Sequence, residues 1–272
     1  MSPGLWIYLG VLVFCFGACI GSFLNVCIYR IPRGESTISP RSHCPHCSAM
    51  IAWYDNVPLI SWFALRARCR RCGGPISPRY VLVEVLTAAL FLLIWLKYGA
   101  DGRTPVYWLM TGGLILGTFV DLEFMIIPDR VTLGGMAAGL VLSALVPALH
   151  GQVVAREGFA YAVLGLAVGS GLLWLVALAG KWIFKKDAMG FGDVKLLGAL
   201  GALLGWQAVL FCIVVSSFIG SFVGIGLVAA GRREWQSRIP YGPFIALAAG
   251  VWILGGADAW HAYFAWLYRP RV

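Results

Sequence analysis

The feature that most limits what this chain can fold into is a recurrence of apolar stretches of membrane-crossing length. They run at about 5–29, 80–98, 106–120, 131–149, 158–180, 191–206, 208–230 and 241–260. A helix crosses the hydrocarbon core with about 20 mostly apolar residues. Of the 272 residues, 60% are hydrophobic and 12% are charged, against about 25% charged in a soluble domain. The expectation is an all-α polytopic membrane protein with about eight transmembrane helices, the short third and sixth being its marginal members. The first stretch carries no charge, lacks a basic segment ahead of it and is too long for a cleaved signal peptide.

Charge placement orients such a bundle. With the N-terminus outside, segments 30–79, 121–130, 181–195 and 231–240 face the cytoplasm. They hold eight, one, four and three Lys or Arg, 16 of the 21 in the chain. Lys97, Arg103, Arg156, Arg269 and Arg271 fall on the other side. This is the positive-inside pattern of a multi-pass membrane protein. The formal charge of +9 then follows from topology. It suits anionic head groups and carries no nucleic-acid implication. Gly-x-x-x-Gly pairs at 113/117, 135/139, 165/169, 201/205 and 220/224 predict close helix packing in lipid.

One long polar insertion, 30–79, interrupts the apolar pattern. It holds Cys44-Pro45-His46-Cys47 and Cys69-Arg70-Arg71-Cys72, two knuckles separated by 21 residues. Each knuckle supplies two thiolates about one turn apart, so Cys44, Cys47, Cys69 and Cys72 match a tetrahedral zinc site. A cytoplasmic setting disfavours disulfides. All four ligand positions are filled, which reads as structural rather than catalytic zinc. His43 and His46 are reserve ligands or solvated loop histidines. Trp53, Tyr54, Val57, Leu59, Ile60, Trp62 and Phe63 are expected to form a small core within the loop, which below this size needs a metal or a partner to fold.

Asp121, Asp193 and Glu84 are acidic residues at or within apolar stretches. A carboxylate at a bilayer edge costs a few kcal/mol, so it needs a partner or a task. Singly, either aspartate is explained by helix capping or by an ion pair with Lys195 or Arg130. Together they share one membrane face and have glycine neighbours, Gly117 for one, Gly190 and Gly192 for the other. Two adjacent carboxylates sharing one proton supply the acid and base of aspartyl proteolysis. Neither a Gly-x-Ser-x-Gly elbow nor a His-Glu-x-x-His helix is present.

The chain resembles the bacterial type IV prepilin peptidases, also called leader peptidase/N-methyltransferases. The resemblance rests on Gly17-x-x-x-Gly21-Ser22-Phe23-x-Asn25-Val26, both cysteine knuckles, and Ser77-Pro78-Arg79-Tyr80 leading to Glu84. It continues through Asp121 with Ile127-Pro128-Asp129, Gly190-x-Gly192-Asp193-x-Lys195 and Ile239-Pro240-Tyr241-Gly242-Pro243-Phe244. It implies that Asp121 and Asp193 are the catalytic pair of an intramembrane-type aspartyl protease, with Gly190, Gly192 and Lys195 in support. The implied substrates are type IV prepilins and type II secretion pseudopilins, cut at the cytoplasmic face behind a short basic leader. Members with the cysteine loop also methylate the new amino terminus with S-adenosylmethionine.

For that second activity no dinucleotide-type glycine fingerprint exists, which leaves Gly21, Ser22, Asn25 and Glu84 as cofactor-binding candidates. Ordinary interhelical hydrogen bonding explains the same residues equally simply. The expected division is 1–98, carrying the zinc loop and the methyltransferase residues, and 99–272, a six-helix peptidase domain. Two other readings stay open: a peptidase whose zinc loop serves docking or stability, and a proton- or ion-coupled transporter. The absence of a visible repeat and of midplane acids counts against the last.

Overall fold

A computed structural model describes residues 3–185, 190–231 and 239–269. Lys186, Arg232, Arg233, Arg238 and Arg271, all used above in the charge count, lie outside the described residues. The described chain is helical, with two isolated antiparallel bridges and no strands. Its helices are α1 (Pro3–Arg30), α2 (Ile60–Ala64), α3 (Arg79–Tyr98), α4 (Arg103–Phe124) and α5 (Asp129–Leu145). They continue as α6 (Ala155–Phe184), α7 (Phe191–Leu204), α8 (Trp206–Ala229), α9 (Gly242–Val251) and α10 (Ala257–Leu267), the last two joined by a π-helical turn at Trp252–Gly256.

Among the described residues, six helices are long and apolar enough to cross a membrane. The third apolar stretch, expected to be short, grows into the 22-residue α4 because helix continues through 103–105 and 121–124 at its ends. The fourth and sixth contract instead. Pro147 starts a separate 3₁₀ turn and ends α5 at 17 residues, while Gly205, at φ +86°, ends α7 at 14. At 1.5 Å per residue α7 is about 21 Å long, short of a bilayer core.

Two compact units are present, Met1–Leu116 and Gly117–Val272, so α4 contributes to both. In the first, α1 packs along α3. A Cβ on Gly17 would sit 2.8 Å from Ala88 Cα, and one on Gly21 would sit 2.7 Å from Glu84 Cα. The two backbones therefore approach as closely as small residues allow. At the other end Trp6 stacks on Trp95, and Phe91 on Trp108, at 5.2 and 5.3 Å.

In the second unit α7 is the inner helix, flanked by α5 and α6. Apart from Lys195, every residue from Asp193 to Leu204 is buried. The expected glycine packing is what buries it. A Cβ on Gly165 of α6 would meet the Gly201 carbonyl oxygen at 2.0 Å, and one on Gly139 of α5 would meet Ala202 Cβ at 2.7 Å. A helix enclosed on two sides by glycine-lined neighbours needs no lipid-spanning length.

The insertion between α1 and α3 departs from its expected form. Trp53, Tyr54, Ile60 and Phe63 are 74%, 54%, 67% and 66% exposed, and only Val57, Leu59 and Trp62 are half-buried. A 3₁₀ turn at Trp53–Asn56 and the five-residue α2 are too short to enclose seven large side chains. The segment is organised by polar contacts instead. Buried Arg30 donates to the Ser36 and Pro40 carbonyls at 2.9 and 2.8 Å, Ser61 Oγ to the Tyr54 carbonyl at 3.1 Å and Trp62 Nε1 to the Ile76 carbonyl at 3.3 Å.

Candidate active site and metal centre

Asp121 lies in the last turn of α4, where the helix dipole is unfavourable to a carboxylate. The fold offsets this with a second helix. Gly242, the first residue of α9, donates its backbone N–H to Asp121 Oδ2 at 3.1 Å. Asp193 lies in the first turn of α7, where its own helix dipole favours negative charge. Both side chains are buried, at 6% and 8% exposure, and they are near enough for the charge of one to act on the other. Gly190 abuts Asp193: a Cβ there would stand 3.3 Å from Oδ2.

Lys195, offered above as an ion-pair partner for either aspartate, instead bonds Asp129 in the first turn of α5. Asp129, the first residue of α5, is thus the acidic half of a link between the N-termini of α5 and α7. A third contact completes the arrangement. Ile127, in the turn between α4 and α5, fits against three glycines. Added Cβ atoms would lie 3.5 Å from its Cγ2 at Gly117, 3.3 Å from its Cβ at Gly192 and 3.0 Å from its Cδ1 at Gly242. One side chain therefore touches the α4 turn before Asp121, the residue before Asp193 and the donor to Asp121. Behind Gly242, Tyr241 OH lies 2.6 Å from buried Ser216 Oγ and 3.1 Å from Ser217 Oγ, joining the start of α9 to α8.

The four knuckle cysteines also converge. Their sulfur atoms all lie within 4.8 Å of one another, and Cys44 Sγ is 3.8 Å from Cys72 Sγ. Tetrahedral zinc at about 2.3 Å per bond requires sulfurs roughly 3.8 Å apart, so the donor set fits. The knuckles share one design. Ser48 N–H donates to the Cys44 carbonyl and Gly73 N–H to the Cys69 carbonyl, both at 2.9 Å, and Ser48 and Gly73 both adopt positive φ. The Cys69 thiol is held down at about 6, first by backbone N–H donation from Cys72 and Arg71. For Cys72 the Gly74 N–H acts in the same direction, but desolvation and the neighbouring thiols outweigh it and push the group up to about 11. His43 and His46 are exposed and stand outside this sulfur cluster.

Comparison with known proteins follows this division of chemistry. Residues 15–98 match the family described as Bacterial Peptidase A24 N-terminal domain, and residues 108–225 match the Type IV leader peptidase family. A protein of Aeromonas hydrophila named prepilin leader peptidase/N-methyltransferase is 39% identical over 94% of each chain. This chain belongs to the type IV leader peptidase family. Proteins of the same name from Myxococcus xanthus and Stutzerimonas stutzeri are 41% and 32% identical; the first alignment covers 82% of this chain and 64% of the relative, the second 91% of each. No solved structure matches.

The N-terminal family match contains α1 from Cys15 onward, the cysteine loop and α3, and here the structure brings Gly21, Ser22, Asn25 and Glu84 together. Asn25 Nδ2 donates to the Gly21 and Tyr80 carbonyls at 3.3 and 3.0 Å, tying α1 to the start of α3. Glu84 accepts from Ser22 and, at 2.7 Å, from the backbone N–H of Leu59 in the loop. Gly21 is taken up by the close approach of α3. Among the described residues Asn25 Oδ1 is buried with no hydrogen-bond partner, an acceptor suited to an N–H donor.

The supporting residues of the peptidase half were only partly foreseen. Ile127 and Gly242 stood within motifs noted above but without a chemical role. The one legible signal was Gly242-Pro243 opening an apolar run, since proline at the first helical positions marks a helix N-terminus with outward N–H groups. Contact between Ile127 and Gly192 or Gly242, 65 and 115 residues away, has no local signature.

Proposed function

We propose that this protein removes the basic leader from type IV prepilins and pseudopilins and N-methylates the new amino terminus, working from the cytoplasmic face of the bacterial inner membrane. One observation carries the peptidase reading: two buried carboxylates within electrostatic reach, one in the first turn of α7 and the other held by the first backbone N–H of α9. Asp121 and Asp193 are the catalytic pair. Sharing one proton, one carboxylate takes a proton from water while the other gives its proton to the scissile carbonyl oxygen. The water oxygen bonds the carbonyl carbon, and the tetrahedral intermediate collapses with proton transfer to the departing amine. Gly190, Gly192 and Lys195 support the pair, Lys195 through Asp129.

Residues 1–98 form the methyltransferase-associated part and 99–272 the peptidase domain, with α5 and α7 as the short members of eight membrane segments. Asn25 and Glu84 are the acceptors that would receive an ammonium or amino group there, beside Ser22 and close-packed Gly21. S-adenosylmethionine would supply an electrophilic methyl group. Cys44, Cys47, Cys69 and Cys72 would hold a structural Zn²⁺ that closes the loop between its two knuckles.

The test incubates purified protein in lipid with a prepilin and labelled S-adenosylmethionine. Asp121→Asn and Asp193→Asn should each abolish cleavage while leaving thermal unfolding unchanged, and methylation of pre-cleaved pilin should survive in both. Cleavage persisting in both variants would end the paired-aspartate assignment. Absence of methylation from wild type would favour a peptidase-only enzyme.

A further inference from the structure

We infer that residues 53–64 form a membrane-interface foot, an apolar face of the cysteine loop seated in the head-group region of the leaflet that α1 and α3 enter. The inference rests on reading α1 and α3 as membrane-spanning helices, and it adds a lipid-contact surface to the soluble-looking insertion.

Depth is fixed by one hydrogen bond. The level of the interface at the start of α3 is marked by Arg79 stacked over the Tyr80 ring at 5.9 Å, and at the end of α1 by Arg33 over the Tyr29 ring at 4.0 Å. Aromatic and Arg side chains of this kind gather at the membrane–water boundary. Glu84 lies four residues beyond Tyr80, about 6 Å deeper along the helix. Its carboxylate accepts the backbone N–H of Leu59 at 2.7 Å. A helical side chain leans toward its N-terminus, so Leu59 sits within a few Å of the Tyr80 level, not out in the cytoplasm. The residue next to Leu59 is Ile60, the first of α2.

Orientation is fixed by the loop's own contacts. Ser61 is buried and bonds the Tyr54 carbonyl, and Trp62 turns inward to bond the Ile76 carbonyl. Ile60 and Phe63, spaced i and i+3, therefore share the opposite face, where they are 67% and 66% exposed beside Trp53 and Tyr54. At the same level α3 exposes Leu82, Val85 and Leu86, which in a spanning helix are covered by lipid. The apolar face of α2 continues that covered surface. Amphipathic segments at an interface bury their apolar side about 5–10 Å into the boundary, the depth that the Leu59–Glu84 bond imposes.

Charge selects the same occupant. The insertion 30–79 carries eight Arg against Glu35 and Asp55, and Asp55 is neutralised by Arg70 in a two-oxygen ion pair. Arg66, Arg68 and Arg71 follow α2 and are exposed. Basic groups flanking an apolar face complement anionic phospholipid.

The test places a fluorescent amino acid at position 63, and separately at position 86 on α3, in the full chain reconstituted into vesicles of phosphatidylcholine and phosphatidylglycerol. Bromines carried at shallow or deep acyl positions quench by contact, and iodide reports water access. The foot predicts that the probe at 63 loses most of its emission to shallow bromines, little to deep ones and little to iodide, without prepilin present. Iodide quenching at 63 with no bromine quenching, while position 86 is quenched by bromines, overturns the foot and leaves the spans intact. Failure of bromine quenching at 86 overturns the membrane reading itself and the foot with it. If 63 becomes shielded from iodide only when prepilin is added, the face is a substrate surface and the foot is refuted.

Discussion

Gly242→Ala is the substitution whose consequence can be worked furthest from the structure. The added methyl would lie 2.8 Å from Asp121 Oδ2 and 3.0 Å from Ile127 Cδ1, where ordinary contact begins near 3.4 Å. The carboxylate must therefore retreat by about 0.6 Å, the difference between 2.8 and 3.4 Å. Its retreat sacrifices the 3.1 Å hydrogen bond from the Gly242 N–H. A hydrogen bond to a charged group contributes about 1.5–3 kcal/mol, and each 1.4 kcal/mol is tenfold in rate. Displacement of a catalytic group by about 1 Å costs a comparable factor, about 100-fold. We expect kcat for prepilin cleavage to fall about 10- to 100-fold with KM little changed.

The assay measures both constants on purified enzyme in lipid, alongside the thermal unfolding midpoint. Gly134→Ala serves as control, since a Cβ there meets nothing within 4 Å among the described residues. Adding Ile127→Val removes the contact with Cδ1 but not that with Asp121, so activity should stay low. A kcat within about twofold of wild type in Gly242→Ala would refute the placement of Asp121 against α9. Recovery in the double variant would assign the effect to Ile127.

Three further outcomes are expected. Lys195→Gln and Asp129→Asn should each lower kcat several-fold while moving the unfolding midpoint little, because an exposed ion pair contributes only about 0.2–1 kcal/mol to stability; equal loss of both would show the pair is merely structural. Cys44→Ser with Cys72→Ser should abolish a stoichiometric bound metal, measured by elemental analysis, and expose 30–79 to protease; a wild-type protein without metal would overturn the zinc site. Gly21→Ala should lower the unfolding temperature, since its Cβ would stand 2.7 Å from the Glu84 backbone and overpacking costs about 1–3 kcal/mol; an unchanged midpoint would contradict the close α1–α3 packing.

How much was legible in the residues varied by element. Apolar length located the six helices that are long enough to cross a membrane among the described residues, and proline or glycine explains where the shorter apolar helices α5 and α7 stop, at Pro147 and Gly205. Spacing alone grouped Cys44, Cys47, Cys69 and Cys72, because each knuckle is a local structure and only two halves had to meet. The loop's apolar residues misled, since composition cannot tell an enclosed aromatic from one that faces outward, as Trp53 and Phe63 do.

What the sequence determined by itself was therefore whatever is local or additive: helical segments, the charge bias, two metal-ligand knuckles and two aspartates in their motifs. The tertiary structure alone decided which helix ends converge on those aspartates. Asp121 rests on the N–H of a residue 121 positions away, Lys195 reaches Asp129 across 66, and Ile127 fits glycines on either side of it. Such contacts depend on how closely α5, α6 and α7 can pack. That packing is a property of several glycine-lined surfaces at once, which no single stretch of the chain encodes.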